Sequence, residues 1–125
     1  MGWTMRQIIL FTGHRDKIAS GEELEQLALE SNDSVWMHGD AVGFDRQVNS
    51  VAEIFNIQRI VVPAAYLYAG DKSAPLRRND LMVDLCTSVI ALYDGRKKGG
   101  TYYTIKRAEL KGKPVKILTP KERKD

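Results

Sequence analysis

Apolar runs of strand length recur five times along the chain, and β-branched residues dominate them. The runs are continuous rather than alternating, which is typical of parallel strands in a sheet that is covered on both faces. They lie at residues 8–11, 35–37, 60–62, 89–93 and 115–118. The pattern therefore predicts five buried strands.

Apolar residues at helical spacing fill the intervals between these runs. Ser20 and Glu23 have the spacing of a capping box before the first helix. Pro75 suits the first turn of the third helix, and the fourth is expected to end at Gly112, before Pro114. The residues of the four apolar stripes are Leu24, Leu27 and Ala28; Phe44, Val48, Val51, Ala52 and Phe55; Leu81, Met82 and Leu85; and Tyr102, Ile105 and Ala108.

The resulting order, βαβαβαβαβ, is that of parallel strands joined by right-handed helical crossovers. It predicts an α/β fold, a three-layer Rossmann-like sandwich with a five-stranded parallel sheet and helices on both faces. The length of 125 residues suits one such domain, with residues 119–125 as a charged tail. The formal net charge of +3 is small and by itself says little about partners.

Cys86 is the only cysteine, which excludes a disulfide framework and a cysteine zinc site. The longest apolar stretches reach about six residues, against the roughly 20 that a membrane helix needs. The first residues also lack the pattern of a secretory signal. We therefore expect a cytoplasmic protein without a membrane segment.

Ligands of open parallel sheets bind beyond the carboxyl ends of the strands, where the strand order reverses. Four loops leave the predicted strands at that edge of the sheet, and they hold nearly all of the chemically suggestive residues. Their sequences are TGHRDK (12–17), HGDAVGFD (38–45), PAAYLYAGDKSAP (63–75) and DGRKKGGT (94–101). We expect these loops to form one cleft.

The loop DGRKKGGT runs from a buried strand into a helix. Gly99, Gly100 and the amide of Thr101 can therefore present backbone N–H groups and a helix N-terminus to an anion such as phosphate. The alternative is that the glycines only make a tight turn. This loop is not a Walker A motif, because Lys97 and Lys98 precede the glycines.

The loop HGDAVGFD also joins a strand to a helix. Gly39 and Gly43 would allow close approach of a ligand. Asp45 could accept hydrogen bonds from ribose hydroxyls, or it could only stabilise the helix dipole. Asp40 is a weaker candidate for the same role.

The segment TGHR follows the first strand. Thr12 and Gly13 could form the floor of the cleft, and Arg15 could pair with a phosphate. His14 and His38 would end neighbouring strands, which suits two histidines that hydrogen-bond or stack on a base. No third ligand stands at a recognisable spacing, so we expect no metal site.

In PLRRND, two cations begin a helix, where they oppose the helix dipole. Arg77 and Arg78 therefore either serve an anionic ligand, together with Asn79, or reach into solvent. Tyr66 and Tyr68 in the preceding loop could stack on a base, or could pack the loop down.

Taken together, FTGHRDK, HGDAVGFDRQVNSVA, RRNDLM and VIALYDGRKKGGTYYTIKRAELKGKPV resemble the SLOG superfamily, and most of all its YpsA-like branch. The resemblance spans residues 8–118. It implies a Rossmann-like fold that binds nucleotides or nucleotide-derived ligands above the strand ends. By position it implicates Thr12, Gly13, His14, Arg15, Gly39, Asp40, Gly43, Asp45, Arg78, Asn79, Gly99, Gly100 and Thr101.

A related branch, the LOG phosphoribohydrolases, has a catalytic glutamate after its P-G-G-x-G-T turn, and this chain departs from that pattern. The first carboxylate after the turn is Glu109, roughly two helical turns further on. If the chain is an enzyme of N-glycosidic bonds, a loop aspartate must therefore serve, and the candidates are Asp45, Asp40 or Asp94.

The leading hypothesis is a binding module that holds a nucleotide or nucleotide-derived ligand and needs neither cofactor nor catalytic group. The second is a hydrolase or transferase of nucleotide N-glycosidic bonds, resembling the LOG proteins or the deoxyribosyltransferases. The third, from the DprA branch of the same superfamily, is binding of single-stranded nucleic acid. The small net charge favours the small ligand over nucleic acid. A homodimer is compatible with all three.

Overall fold

The computed structural model describes residues 6–121, in which strands and helices alternate. The strands are β1 (Ile8–Gly13), β2 (Val35–His38), β3 (Arg59–Val61), β4 (Ser88–Leu92) and β5 (Val115–Leu118). The helices are α1 (Gly21–Glu30), α2 (Phe44–Ile54), α3 (Ala74–Leu85) and α4 (Gly100–Leu110). Each element lies where the hydrophobic pattern predicts it. The prediction that all five strands are buried is wrong for β3 and β5, where Val61 and Ile117 are exposed.

The strands form one parallel sheet in the order β3-β2-β1-β4-β5. The chain moves outward from β1 to β3 on one side and then crosses to β4 on the other. This reversal makes the carboxyl ends of β1 and β4 neighbours, with Gly13 beside Leu92. The predicted Rossmann-like α/β fold is thus confirmed, and its switch point lies between β1 and β4.

Two apolar cores cover the two faces of the sheet. On one face, α1 and α2 pack around the aromatic rings of Phe11, Trp36 and Phe44, and the first two ring centroids are 4.5 Å apart. On the other face, α3 and α4 pack against Leu10 and Met37. Helices on both faces give the three layers that the sequence predicts.

The predicted capping box of α1 is wrong. The side chain of Ser20 makes no capping hydrogen bond, and its backbone carbonyl accepts from Leu24 N at 3.2 Å as in an ordinary helical turn.

The predicted apolar stripe of α3 is also partly wrong. Leu81 and Leu85 are about half exposed, whereas Asn79, Met82 and Val83 are buried. Because the buried face of α3 includes a polar residue, the apolar residues alone do not show the helical period of that face.

The end of the described chain is attached to the rest of the fold. Beyond β5, Lys121 N donates to Ile18 O at 3.0 Å in an isolated antiparallel bridge. Residues 122–125 of the predicted tail lie outside the described residues. Across residues 6–121, the helices are too short or too polar to cross a bilayer.

Candidate ligand-binding site

A cavity of about 840 Å³ opens at the carboxyl ends of β1 and β4. Its walls come from the loops after β1, β2 and β4, from the start of α2, from the chain between Lys72 and Met82, and from the N-terminal half of α4. Ten of the residues predicted to bind a ligand line it: Thr12, Gly13, His14, Arg15, Asp45, Arg78, Asn79, Gly99, Gly100 and Thr101. The cavity lining does not include Gly39, Asp40, Gly43 or Asp94.

The N-terminal turn of α4 is open toward this cavity. A Cβ on Gly99 would have no neighbour within 4 Å, and one on Gly100 would reach only Asn79 Nδ2, at 3.5 Å. The first helical hydrogen bond runs from Tyr103 N to Gly99 O at 3.0 Å, so the N–H groups of Gly100 and Thr101 have no helical acceptor. Free N–H groups at the positive end of a helix form an anion site.

Two buried polar side chains flank this turn. Asn79 is 7% exposed and Thr101 is 4% exposed. The Oδ1 atom of Asn79 accepts a hydrogen bond from Arg78 Nε at 2.9 Å. Within residues 6–121, neither Asn79 Nδ2 nor Thr101 Oγ1 makes a hydrogen bond, and neither is fully enclosed, since the enclosed unpaired atoms there are Trp36 Nε1 and Thr104 Oγ1. A ligand at the turn can supply the missing acceptor.

Asp45 presents a buried carboxylate to the same cavity from the first turn of α2. Its Oδ2 atom accepts hydrogen bonds from the N–H groups of Gly39 and Ala41, each at 3.1 Å. Burial raises the pKa of this carboxyl, although the two amides and the nearby His38 and Arg78 oppose the rise. Oδ1 has no partner among residues 6–121 and remains for a ligand hydroxyl or N–H.

Three glycines were predicted to leave space for a ligand. In the structure, other parts of the protein pack against them. A Cβ on Gly13 would come within 2.5 Å of the Phe44 ring, and one on Gly39 within 2.5 Å of Arg78 Nη1. Gly43 has φ +82°, and a Cβ there would overlap the carbonyl oxygen of Arg15. Gly13 lines the cavity, but packing against α2 already accounts for its lack of a side chain.

The guanidinium of Arg78 is held by the protein. Its Nη1 donates to Gly39 O at 2.5 Å and to Val62 O at 3.4 Å, and its Nε donates to Asn79 Oδ1. Arg78 therefore ties α3 to the ends of β2 and β3. Its Nη2 makes no hydrogen bond within residues 6–121 and Arg78 lines the cavity, so its predicted role toward an anion stays a prediction beside this structural role.

His14, Asp94 and Arg96 form a polar cluster at the end of β4. Arg96 Nε and Nη2 contact both carboxylate oxygens of Asp94 at 2.6–3.0 Å, and this arginine lowers the pKa of Asp94. His14 Nε2 lies 3.2 Å from Asp94 N and 3.1 Å from its Oδ1. Burial, aided by Arg96, lowers the pKa of His14, so the imidazole is neutral at neutral pH. Asp94 thus positions Arg96 at the cavity.

His38 is fully buried and its ring nitrogens both have protein partners. Nδ1 accepts from Asp40 N at 3.0 Å, and Nε2 lies 2.9 Å from Asn49 Oδ1. Of the two predicted cleft histidines, only His14 lines the cavity.

Asp40 has φ +59°, and its side chain lies outside the cavity lining. Among residues 6–121, no three His, Cys, Asp or Glu side chains cluster as metal ligands would.

Several residues that line the cavity were not predicted from the sequence as site residues. The most informative are Arg96 and Lys98, which stand in DGRKKGGT itself, and Lys72 and Lys106 on neighbouring elements. The basic character of residues 96–98, in the same strand-to-helix loop as the glycines, was the signal that pointed to the first two. In total, six cations line the cavity against two carboxylates, Asp16 and Asp45.

The loop between β3 and α3 is pinned at its base and exposed at its tip. Asp71 is 2% exposed and binds Arg77 Nη2 at 2.6 Å, and its carboxylate also accepts from the N–H groups of Leu67 and Ser73. Tyr66 and Tyr68 are 62% and 66% exposed. These tyrosines therefore do not pack the loop down.

Comparison with known proteins shows a shared fold and leaves the family open. The structure of DNA processing protein A (DprA) from Streptococcus pneumoniae is similar with a TM-score of 0.73 and 21% identity, over 90% of this chain and 50% of that one. The uncharacterized SPbeta prophage-derived protein YoqJ of Bacillus subtilis (strain 168) is 28% identical over 76 residues, 56% of this chain and 43% of that protein. The chain thus spans half or less of each relative. No protein-family model matches the sequence.

Proposed function

We propose that the cavity binds a phosphorylated nucleotide or a nucleotide-derived ligand, with a phosphate on the turn formed by residues 99–101 and the ribose facing Asp45. The observation that carries this proposal is the open N-terminus of α4. Its Gly100 and Thr101 amides have no helical acceptor, and no packing contact within the protein requires a glycine at position 100. We further propose that the chain belongs to the YpsA-like branch of the SLOG superfamily, on the motifs by which it resembles that branch.

The charge of the cavity supports an anionic ligand. Six cations face two carboxylates, and the pKa of one of the two, Asp45, is raised by burial. Arg78 and Arg96 are held by protein partners, and Lys106 pairs with Glu109. Arg15, Lys72 and Lys98 line the cavity without an ion pair among residues 6–121, and their exposed side chains can turn toward a phosphate.

Thermal unfolding with AMP, ADP, ribose 5-phosphate and adenosine tests the proposal. Ligands of the native state raise the apparent stability by mass action, by about 2.7 kcal/mol at a concentration 100 times Kd. We expect the phosphorylated compounds to raise Tm and adenosine to have little effect. Gly100→Val, which fills the turn, is the matched control and should abolish the response. Equal shifts with adenosine and AMP, or none with any of the four, would contradict the proposal.

A second candidate is cleavage of the N-glycosidic bond, and Asp45 is the observation in its favour. Its pKa is raised and its Oδ1 is free toward the cavity, so it could protonate the leaving base while water attacks the sugar. Release of free base from AMP, followed by chromatography, would establish this activity. Loss of the activity in Asp45→Asn would assign it to that carboxyl.

A third candidate is single-stranded nucleic acid, favoured by the two exposed tyrosines, Tyr66 and Tyr68, of the loop between β3 and α3. Bases stack on exposed aromatic rings, with about 1–3 kcal/mol lost per ring removed. If this function holds, Tyr66→Ala and Tyr68→Ala weaken oligonucleotide binding, and affinity falls steeply with salt. A mononucleotide in the cavity should respond to salt much less.

A further inference from the structure

Asn79 is a buried side chain whose donor group has no partner in the described protein. It is 7% exposed, and only its Oδ1 atom is hydrogen-bonded within residues 6–121. Its Nδ2 atom is the nearest non-neighbouring atom to the position that a Cβ on Gly100 would take, at 3.5 Å. The free amide therefore points at the open turn of α4. The nitrogen is not itself enclosed, because the enclosed unpaired atoms among residues 6–121 are Trp36 Nε1 and Thr104 Oγ1. An anion in the cavity can therefore reach this donor and accept from it.

The orientation of this amide is set by Arg78. A guanidinium can only donate, so the Asn79 atom that faces Arg78 Nε at 2.9 Å must be the oxygen. The NH₂ group then faces the other way, toward Gly100. Arg78 itself cannot swing away, because Gly39 O and Val62 O accept from its Nη1.

We propose that Asn79 Nδ2 is an anion-binding donor of the cavity, and that Arg78 is the positioning residue that aims it at the N-terminus of α4. This inference deepens the proposed function, because it concerns the phosphate end of the same cavity. The subsite joins two backbone N–H groups, the Asn79 amide and the Thr101 hydroxyl. Its N–H groups only donate, which suits the terminal oxygens of a phosphate monoester.

Selective [¹⁵N]asparagine labelling makes the subsite directly observable. The chain has four asparagines, Asn32, Asn49, Asn56 and Asn79, so the NMR spectrum holds four side-chain amide pairs. On titration with inorganic phosphate, we expect the Asn79 pair to shift while that of Asn49, whose Oδ1 contacts His38, stays in place. Acetate, titrated in parallel, distinguishes a phosphate site from a general anion site. An Asn79 pair that does not respond to phosphate would overturn the inference.

Asn79→Asp tests the donor without disturbing the shape of the site. An aspartate keeps the contact with Arg78 but replaces the NH₂ with an oxygen that repels an anion. We expect phosphate affinity to fall about tenfold or more, with no loss of Tm. Asn32→Asp, on the exposed segment after α1, adds the same charge elsewhere and should bind phosphate as the unmodified protein does. Unchanged affinity in Asn79→Asp would refute the role of the amide.

Arg78→Lys tests the positioning role. A lysine retains the charge but cannot hold three acceptors in a planar fork. We expect the Asn79 amide pair to lose its response to phosphate while the backbone amide of Thr101 still shifts. If both respond as before, Arg78 does not position the amide.

The outcomes separate this inference from the proposed function. If inorganic phosphate shifts the Asn79 pair but no nucleotide binds, the subsite stands and the nucleotide proposal fails. If AMP binds while Asn79→Asp binds AMP and phosphate as tightly as the unmodified protein, the proposed function stands and this inference fails.

Discussion

Two loops of this molecule look alike in sequence and differ in what their glycines contact. The loops HGDAVGFD and DGRKKGGT each join a strand to a helix and each contain two glycines. In the first, the space beside Gly39 is filled by the guanidinium of Arg78, and the space beside Gly43 by a carbonyl oxygen. In the second, a Cβ on Gly99 would meet nothing within 4 Å, and one on Gly100 would make an ordinary contact with Asn79 Nδ2 at 3.5 Å.

The comparison distinguishes glycines that allow close packing within the protein from glycines that leave space for a ligand. Gly39 and Gly43 let α3 and the loop after β1 approach the start of α2. Gly99 requires its positive φ of +92°, but no backbone strain or contact requires a glycine at position 100. The comparison therefore supports the proposal that a ligand binds at the second loop, while the N–H groups of Gly39 and Ala41 in the first loop hold Asp45 in position.

Gly43→Ala should have the largest effect on stability. The substitution combines an unfavourable φ with overlap against the Arg15 carbonyl, for an expected loss of about 3–5 kcal/mol in the free energy of unfolding. Urea denaturation measures it. Gly70→Ala is the matched control, since φ there is +81° but a Cβ meets nothing within 4 Å. It should cost only about 1–2 kcal/mol. Equal losses would show that packing at Gly43 is unimportant.

Arg78→Ala should come next, at about 2–3 kcal/mol, because it leaves two carbonyl oxygens and Asn79 Oδ1 without their donor. The sequence indicates Arg78 only as a ligand contact or a solvent-exposed cation, whereas the structure gives it these structural contacts as well. Chemical denaturation measures the loss. A variant as stable as the parent protein would contradict the structural role given to Arg78.

Asp45→Asn should raise stability by a few degrees in Tm at pH 7 and weaken nucleotide binding. Burial raises the pKa of this carboxyl above its value in the unfolded chain, so the contribution of Asp45 to stability is greatest below the unfolded pKa and is lost as pH rises through the folded pKa. The advantage of the amide should therefore shrink as the solution is acidified. Thermal unfolding between pH 4 and pH 7 checks the trend, and a constant difference would argue against the raised pKa.

Gly100→Ala should have the smallest effect on stability, within about 1 kcal/mol and in the favourable direction, since alanine is the better helix former. Its Cβ has room in the protein but projects beside the Asn79 amide. Phosphate binding should weaken while Tm holds. Weakened stability with unchanged binding would reverse the roles given to the two loops.

Much of the fold followed from the sequence because β-branched runs and helical stripes are local signals. The switch point also followed, since the order of strands and helices restricts the topology. The stripe of α3 was only partly predicted, because its buried face includes the polar Asn79, which accepts a hydrogen bond from Arg78 Nε.

The site was only partly predictable, for a physical reason. Chain position showed that the four loops share one edge, and ten of the predicted residues do line the cavity. The sequence does not show whether a glycine contacts protein or open space. The atoms beside Gly39 and Gly43 belong to Arg78 and Arg15, which are far from these glycines along the chain. The partners of Arg78 and Arg96 were hidden for the same reason.

Selective [¹⁵N]glycine labelling tests the central claim most directly, because the chain has ten glycines and both loops are reported in one spectrum. Titration with AMP should shift the amide signals of Gly99 and Gly100 most, and those of Gly39 and Gly43 little. The largest shifts at Gly39 and Gly43, with none at Gly99 and Gly100, would contradict the account.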